Sequence, residues 1–214
     1  MIKKINYFFK GKKERKNLNE IHDYWKNPND DKNNPEVYAR QEATERSAFL
    51  YKITQQCNIS TKSKIIELGC NVGRNLNYLS QKGFTNIYGI EISENALEKM
   101  KEIYPKMSSS IEVFHSAIED KISQFEKDEF DLVFTMAVLE HVHTDSEWIF
   151  EEIVRITKRY LITVEDEKGT SWRHFPRNYR KIFEKLGLEE ILEMKCDEVP
   201  DLPKSFRARV FEKK

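Results

Sequence analysis

The segment Glu67-Leu68-Gly69-Cys70-Asn71-Val72-Gly73-Arg74-Asn75 restricts the fold of this chain more than any other stretch. An apolar run at 65–68 leads straight into a glycine-containing turn. The turn leads into a helix-period segment with Val72, Leu76 and Leu79 on one face and Gly83 as its stop. Gly69 lets the backbone bend sharply after a strand, and Gly73 lets a ligand approach the start of the helix. Exposed amides at such a turn favour a carboxylate or similar anion. A dinucleotide fingerprint would place glycines at 69, 71 and 74, whereas positions 71 and 74 hold Asn and Arg. Pyrophosphate binding, and with it an NAD-linked oxidoreductase, is therefore disfavoured.

The alternation continues downstream. Runs at 65–68, 87–91, 111–114, 130–135 and 160–164 are expected strands, and 191–194 and 206–211 add two more across a Pro-containing loop. Between them lie helix-period segments: Leu97, Met100 and Tyr104, ended by Pro105; Trp148, Ile149, Ile153 and Ile156; and a helix opened by Pro176 that holds Ile182, Phe183 and Leu186 and closes at Gly187. This order predicts an α/β fold, a Rossmann-like, mainly parallel seven-stranded sheet with helices on both faces. No buried-strand run precedes residue 60. A short helix with Ile21, Tyr24 and Trp25, a loop at 27–35 and a longer helix after Pro35 read as an N-terminal helical cover. The expected division is residues 1–60 as basic arm and helical cover, and 61–214 as a single compact domain.

Charge and cysteine usage narrow the function. The 36 basic residues balance the 36 acidic ones, so no global field draws in nucleic acid or an anionic membrane. Lys3, Lys4, Lys10, Lys12, Lys13, Arg15 and Lys16, opposed only by Glu14, read as a solvated terminus. Cys57, Cys70 and Cys196 form no CxxC pair, which suggests neither a disulfide framework nor structural zinc. No segment reaches the ~18 apolar residues of a membrane span, and the start lacks a signal-type apolar core. A cytoplasmic protein without membrane insertion is expected; its oligomeric state is not legible.

Glu91 closes the second run roughly 20 residues past the glycine turn, where one carboxylate can accept from both hydroxyls of a ribose. Glu67 to Gly73 resembles motif I of the class I S-adenosylmethionine-dependent methyltransferases, written acidic-x-Gly-x-Gly-x-Gly, with Asn71 at the middle glycine. Tyr88-Gly89-Ile90-Glu91-Ile92-Ser93 resembles motif II. His115-Ser116-Ala117-Ile118-Glu119-Asp120 stands where that family contacts adenine. Ser116 replaces the usual Asp, so the resemblance implies a backbone contact there, with Ile92 and Ile118 flanking the base. Thr135-Met136-Ala137-Val138-Leu139-Glu140-His141-Val142-His143 is similar to the post-strand motif of small-molecule methyltransferases that include ubiquinone-biosynthesis enzymes. The resemblance spans residues 60–165. It implies S-adenosyl-L-methionine held by Glu67, Gly69, Asn71, Gly73, Glu91, Ile92, Ser116, Ala117, Thr135 and Met136, and a small-molecule acceptor methylated on oxygen or nitrogen.

His141 and His174 follow sheet strands, and an unperturbed imidazole titrates close to working pH, so these two are the candidate general bases. The loop 165–179, with Trp172, Arg173 and Phe175, suits a planar or anionic acceptor, because ligands of open parallel sheets lie beyond the carboxyl ends of the strands. Glu140 and His141 also resemble part of the Glu-x-x-Glu-His metal motif of some quinone and RNA-end methyltransferases. The first acid is Ala137 here, and losing a hard anionic ligand should cost most of the affinity for a hard cation, so no metal is expected. Two rivals stay open: an RNA methyltransferase, which needs a basic groove, and a silent binding module on the same fold.

Overall fold

The computed structural model describes residues 16–28, 33–40, 44–200 and 202–214. The N-terminal basic cluster apart from Lys16, and part of the loop 27–35, lie outside these residues. A strand covered on both faces is shielded along its whole length and is therefore mostly apolar, and β1 (Ile65–Leu68) is buried at all four positions, the acid Glu67 included. Around it lie β2 (Ile87–Glu91), β3 (Glu112–His115), β4 (Phe130–Met136), β5 (Thr157–Asp166), β6 (Leu188–Lys195) and β7 (Phe206–Lys213) in the order β3-β2-β1-β4-β5-β7-β6. β1 to β5 pair in parallel, while β7 runs antiparallel to both β5 and β6. The order reverses between β1 and β4, and the crevice of such sheets opens there, beyond the carboxyl ends of the strands.

Period-two alternation sends neighbouring side chains to opposite faces. Ile65, Leu132, Phe134 and Ile162 pack on one side with Leu76 of α4 (Arg74–Gln81), Leu97 and Met100 of α5 (Glu94–Ile103), and Leu50 and Ile53 of α3 (Thr44–Thr54). Ile66, Leu68, Val133 and Leu161 pack on the other, with Ile153 of α8 (Ile149–Ile156) and Phe183 of α9 (Tyr179–Lys185). Each fully buried aliphatic side chain contributes roughly 1.5–3 kcal/mol of transfer free energy.

Several boundaries differ from the sequence reading. Pro105 ends α5 but also opens α6 (Pro105–Ser108), since an N1 proline gives up no intrahelical hydrogen bond. α9 starts after Pro176, where Asn178 accepts from the N–H of Lys181 and caps the helix. Trp148 precedes the buried stripe of α8 and is 44% exposed. After Pro35 the chain makes a single turn, α2 (Pro35–Tyr38), before α3 begins at Thr44. β5 runs on through Glu165 and Asp166, which the sequence assigned to a loop; both are buried. α1 (Leu18–Lys26) carries a capping box between Asn17 and Glu20, and α7 (Ile118–Lys121) follows β3.

Candidate active site

The turn after β1 is built from three residues with positive φ: Gly69 at 73°, Asn71 at 47° and Gly73 at 71°. Asn tolerates the left-handed region better than other side-chain-bearing residues. That explains how it stands at the position of the middle glycine. Its Oδ1 also accepts from the N–H of Val72 at 2.8 Å, which fixes the turn. A Cβ on Gly69 would lie 2.7 Å from Val138 Cγ2, and one on Gly73 would lie 2.9 Å from Met100 Cε. Gly73 is required first by its left-handed φ of 71°, with the flexible Met100 side chain packed close beside it.

Glu91 closes on this turn. Its Oε2 accepts from the N–H of Asn71 and its Oε1 from the N–H of Ser93, each at 2.7 Å. The amides expected to await an external anion are thus partly satisfied by the protein's own carboxylate. Burial pushes the Glu91 carboxyl above its usual range, and the backbone N–H bonds pull it back.

A cavity opens over this point, with about 1050 Å³ of empty space when the open solvent at its mouth is included. Glu67, Gly69, Asn71, Glu91, Ile92, Ser116, Ala117, Met136 and His141 line it, as does Ile118. Among the other expected residues, Gly73, Thr135 and His174 are not on its wall; Thr135 is fully buried within β4. The sequence reading missed Arg74, Asn75 and Tyr38, and α1 side chains that include Ile21, His22 and Trp25. Arg74 and Asn75 were legible only as the first turn of a helix, and nothing in the pattern of α1 says what it faces.

One end of the cavity has groups suited to an amino acid. Glu67 Oε1 accepts from Asn75 Nδ2 at 2.7 Å, while Oε2 is buried without a hydrogen-bond partner. Burial pushes this carboxyl up to about 8. Arg74, 9% exposed, donates through Nε to Ser47 Oγ and forms no ion pair among the described residues. An ammonium would satisfy the orphaned Glu67 oxygen, a carboxylate would neutralise Arg74, and a diol would suit the free lone pairs of Glu91. These are the polar groups of S-adenosylmethionine, so the residues present fit that cofactor.

The other end is aromatic and imidazole-rich. Ala137, at φ 57°, turns the chain after β4, and Glu165 Oε2 holds the following loop by accepting from the N–H groups of Val138 and Glu140. The turn Leu139–His141 puts Glu140 and His141 against the segment 171–175. His141 donates its Nδ1–H to the carbonyl of Arg173 at 3.0 Å, and its ring lies 4.7 Å from that of His174 and 4.7 Å from that of Trp25. Burial drives the His141 imidazole down to about 3, so it is neutral at ordinary pH and a poor general base. His174, though absent from the cavity wall, stands next to it.

A cleft at a topological switch point, with paired acids at the ends of β1 and β2, defines the class of Rossmann-like enzymes that bind an adenosyl cofactor. More particularly, residues 66–160 match the family described as "Methyltransferase domain". The chain therefore carries the methyltransferase domain of class I S-adenosylmethionine-dependent enzymes, with S-adenosylmethionine as its cofactor. Solved structures share the fold. A methyltransferase from Haloferax volcanii, in complex with the Trm112 activator, is 14% identical with TM-score 0.68, covering 90% of this chain and 97% of that one. The methyltransferase domain of bacterial Hen1 is 20% identical with TM-score 0.62, covering 81% and 99%. Magnesium protoporphyrin IX methyltransferase of Synechocystis, with bound S-adenosylmethionine, is 18% identical with TM-score 0.57, covering 80% and 77%. No curated protein sequence is detectably similar.

Proposed function

We propose that this enzyme methylates an oxygen or nitrogen of a small molecule. The observation that carries this reading is that Leu18, Ile21, His22 and Trp25 of α1 line the same cavity as Glu67 and Glu91. We read α1 as a cover that bounds the acceptor space and keeps water out, and residues 61–214 as the catalytic domain beneath it. The balanced charge supports a small acceptor over a polyanion.

S-adenosylmethionine supplies a methyl group already activated on a sulfonium. The protein's part is then to bind, align and dehydrate, and alignment can lower the barrier by roughly 7 kcal/mol or more. In this reading Glu67 and Arg74 take the amino-acid end of the cofactor and Glu91 the ribose. Asn71, Ile92, Ser116, Ala117 and Met136 shape the nucleoside cleft, with Gly69, Gly73 and Thr135 supporting it through the backbone. His141 and His174 stand at the acceptor end, His141 as a neutral imidazole oriented by the Arg173 carbonyl.

The test is a mass-spectrometric search of cell extract for a methyl-sized mass gain that requires both enzyme and S-adenosylmethionine. A modified metabolite supports the reading. Methylation confined to RNA or protein would replace it, and a stable complex with the cofactor but no product from any fraction would favour a silent binding module.

A further inference from the structure

We propose that Glu140, His141 and His174 form a binding site for one divalent transition-metal ion beside the cavity, on whose wall His141 alone of the three stands. One potential ligand atom from each of the three lies within 4.8 Å of the others. Glu140 Oε1 stands 3.5 Å from His141 Nε2 and 3.5 Å from His174 Nε2. Both distances are too long for good hydrogen bonds, which run at roughly 2.7–3.2 Å. They agree with the spacing of two atoms that each lie about 2.1 Å from one ion at a tetrahedral angle, which is about 3.4 Å.

The outer contacts carry the case further. Metal-binding imidazoles almost always donate their other ring N–H to an oxygen, which fixes ring and tautomer, and ligating carboxylates are themselves hydrogen-bonded. His141 Nδ1 donates to the carbonyl of Arg173, and that leaves the Nε2 lone pair directed at the cluster. His174 Nδ1 meets Ser171 Oγ at 2.5 Å. Glu140 Oε2 accepts from the N–H of Asp166, so Oε1 is the oxygen left for the cluster. Each of the three ligands is thus held from behind by one oriented contact.

Charge points the same way. Glu140, Glu165 and Asp166 are all buried, and none has a Lys or Arg within ion-pair distance among the described residues. A divalent cation would compensate this concentration of carboxylates. The sequence argued against a metal because Ala137 removes an acid one helical turn before Glu140, but the ligand comes from a distant loop in the form of His174. That exchange changes the chemistry: two imidazoles and one carboxylate suit Zn²⁺, Co²⁺ or Fe²⁺, whereas Mg²⁺ and Ca²⁺ favour oxygen ligands. Three protein ligands leave a four-coordinate ion one position for water or an acceptor oxygen, as in catalytic zinc sites. The role toward an acceptor rests on the methyltransfer reading; cation binding itself does not.

The full-length protein, stripped with chelator, is titrated with Co²⁺ and its visible absorption followed. One equivalent should give the intense bands of a four-coordinate ion, which Zn²⁺ bleaches and excess Mg²⁺ leaves unchanged. Ser171→Ala should weaken Co²⁺ binding by roughly 10–100-fold, the usual effect of losing an outer partner, and His174→Ala should weaken it further. The melting temperature of each stripped variant shows that it folds, and the shift caused by S-adenosylmethionine, measured without metal, tests the cofactor site separately. Absence of a stoichiometric Co²⁺ spectrum, or one that is identical in wild type and both variants or displaced by Mg²⁺, would overturn the proposal even where the cofactor shift is normal.

Discussion

The backbone N–H of Asn71 donates to Glu91 Oε2 at 2.7 Å, so the turn after β1 and the acid that ends β2 form one hydrogen-bonded unit. Two sequence motifs twenty residues apart are thereby a single structural device. The carboxylate shapes the turn before any ligand arrives, and the turn in turn aims the carboxylate.

Glu91→Ala should therefore do two things. It removes the acceptor for the N–H groups of Asn71 and Ser93, and leaving two such donors unsatisfied costs about 2–6 kcal/mol. In a chain of this size that lowers the melting temperature by roughly 4–24 °C. It should also abolish the rise in melting temperature produced by S-adenosylmethionine or its demethylated product. Thermal melts with and without ligand check both effects, and a variant that is stabilised as strongly as the parent would remove Glu91 from the ribose.

Glu67 gives a pH-dependent expectation. Burial raises its carboxyl from the ordinary 4.5 to about 8, so in the free protein at neutral pH it is mostly protonated. With the folded value above the unfolded one, the free protein loses stability from this group as pH rises from 4.5 toward about 8. A ligand ammonium favours the ionised carboxylate, so cofactor binding should release a proton and tighten as pH rises through that window. Calorimetry in buffers of different ionisation enthalpy measures the proton, and Glu67→Gln should bind more weakly with no release. Equal affinity in the variant would mean that the ammonium sits elsewhere.

The extent to which the site could be read from sequence follows from the range of the interactions. Glu67, Gly69, Asn71 and Glu91 were legible because a strand, a tight turn and a helix impose residue types within a few positions of one another. Periodicity likewise marked the helices but not their starts: Pro176 looked like an N-terminus, whereas the capping side chain is Asn178. β6 was read short because only alternate residues along this edge strand are shielded. The convergence of His174 on Glu140, across 34 positions of chain, left no local trace. Nor did the placement of Trp25 against His141, which no spacing rule links.

Gly69 offers a test of the turn itself. Its φ of 73° costs a side-chain-bearing residue about 1–2 kcal/mol, and the new Cβ would meet Val138 Cγ2 at 2.7 Å, adding roughly 1–3 kcal/mol of overpacking. Gly69→Ala should thus destabilise by about 2–5 kcal/mol. Combining it with Val138→Ala should recover the packing part alone, and denaturant melts of the double-mutant cycle separate the two. Strictly additive effects would show that the contact with Val138 does not matter.

α1, which we propose covers the cleft, is tied to the rest of the fold by His22 Nε2, 3.2 Å from Glu119 Oε1. The hydrogen bond to Glu119 raises the His22 imidazole above its ordinary 6.5, with help from nearby Asp120 and against burial and Lys26. Burial opposes ionisation of Glu119, but the bond from His22 and backbone amides more than offset it and hold this carboxyl below 4.5. The imidazolium's contribution is complete below pH 6.5 and fades as pH rises through the raised value. The carboxylate's is complete above pH 4.5 and fades as pH falls through the lowered one. The latch should therefore be strongest between those limits, and α1 should loosen toward alkaline pH. Hydrogen exchange of the α1 amides, compared with those of α4 to correct for intrinsic pH dependence, should show this loosening in wild type. His22→Ala should give fast exchange in α1 at every pH, together with faster release of the demethylated product. Protection of α1 that is unchanged by either pH or the substitution would mean that the Trp25–His141 contact, 4.7 Å between ring centres, holds the helix without the ion pair.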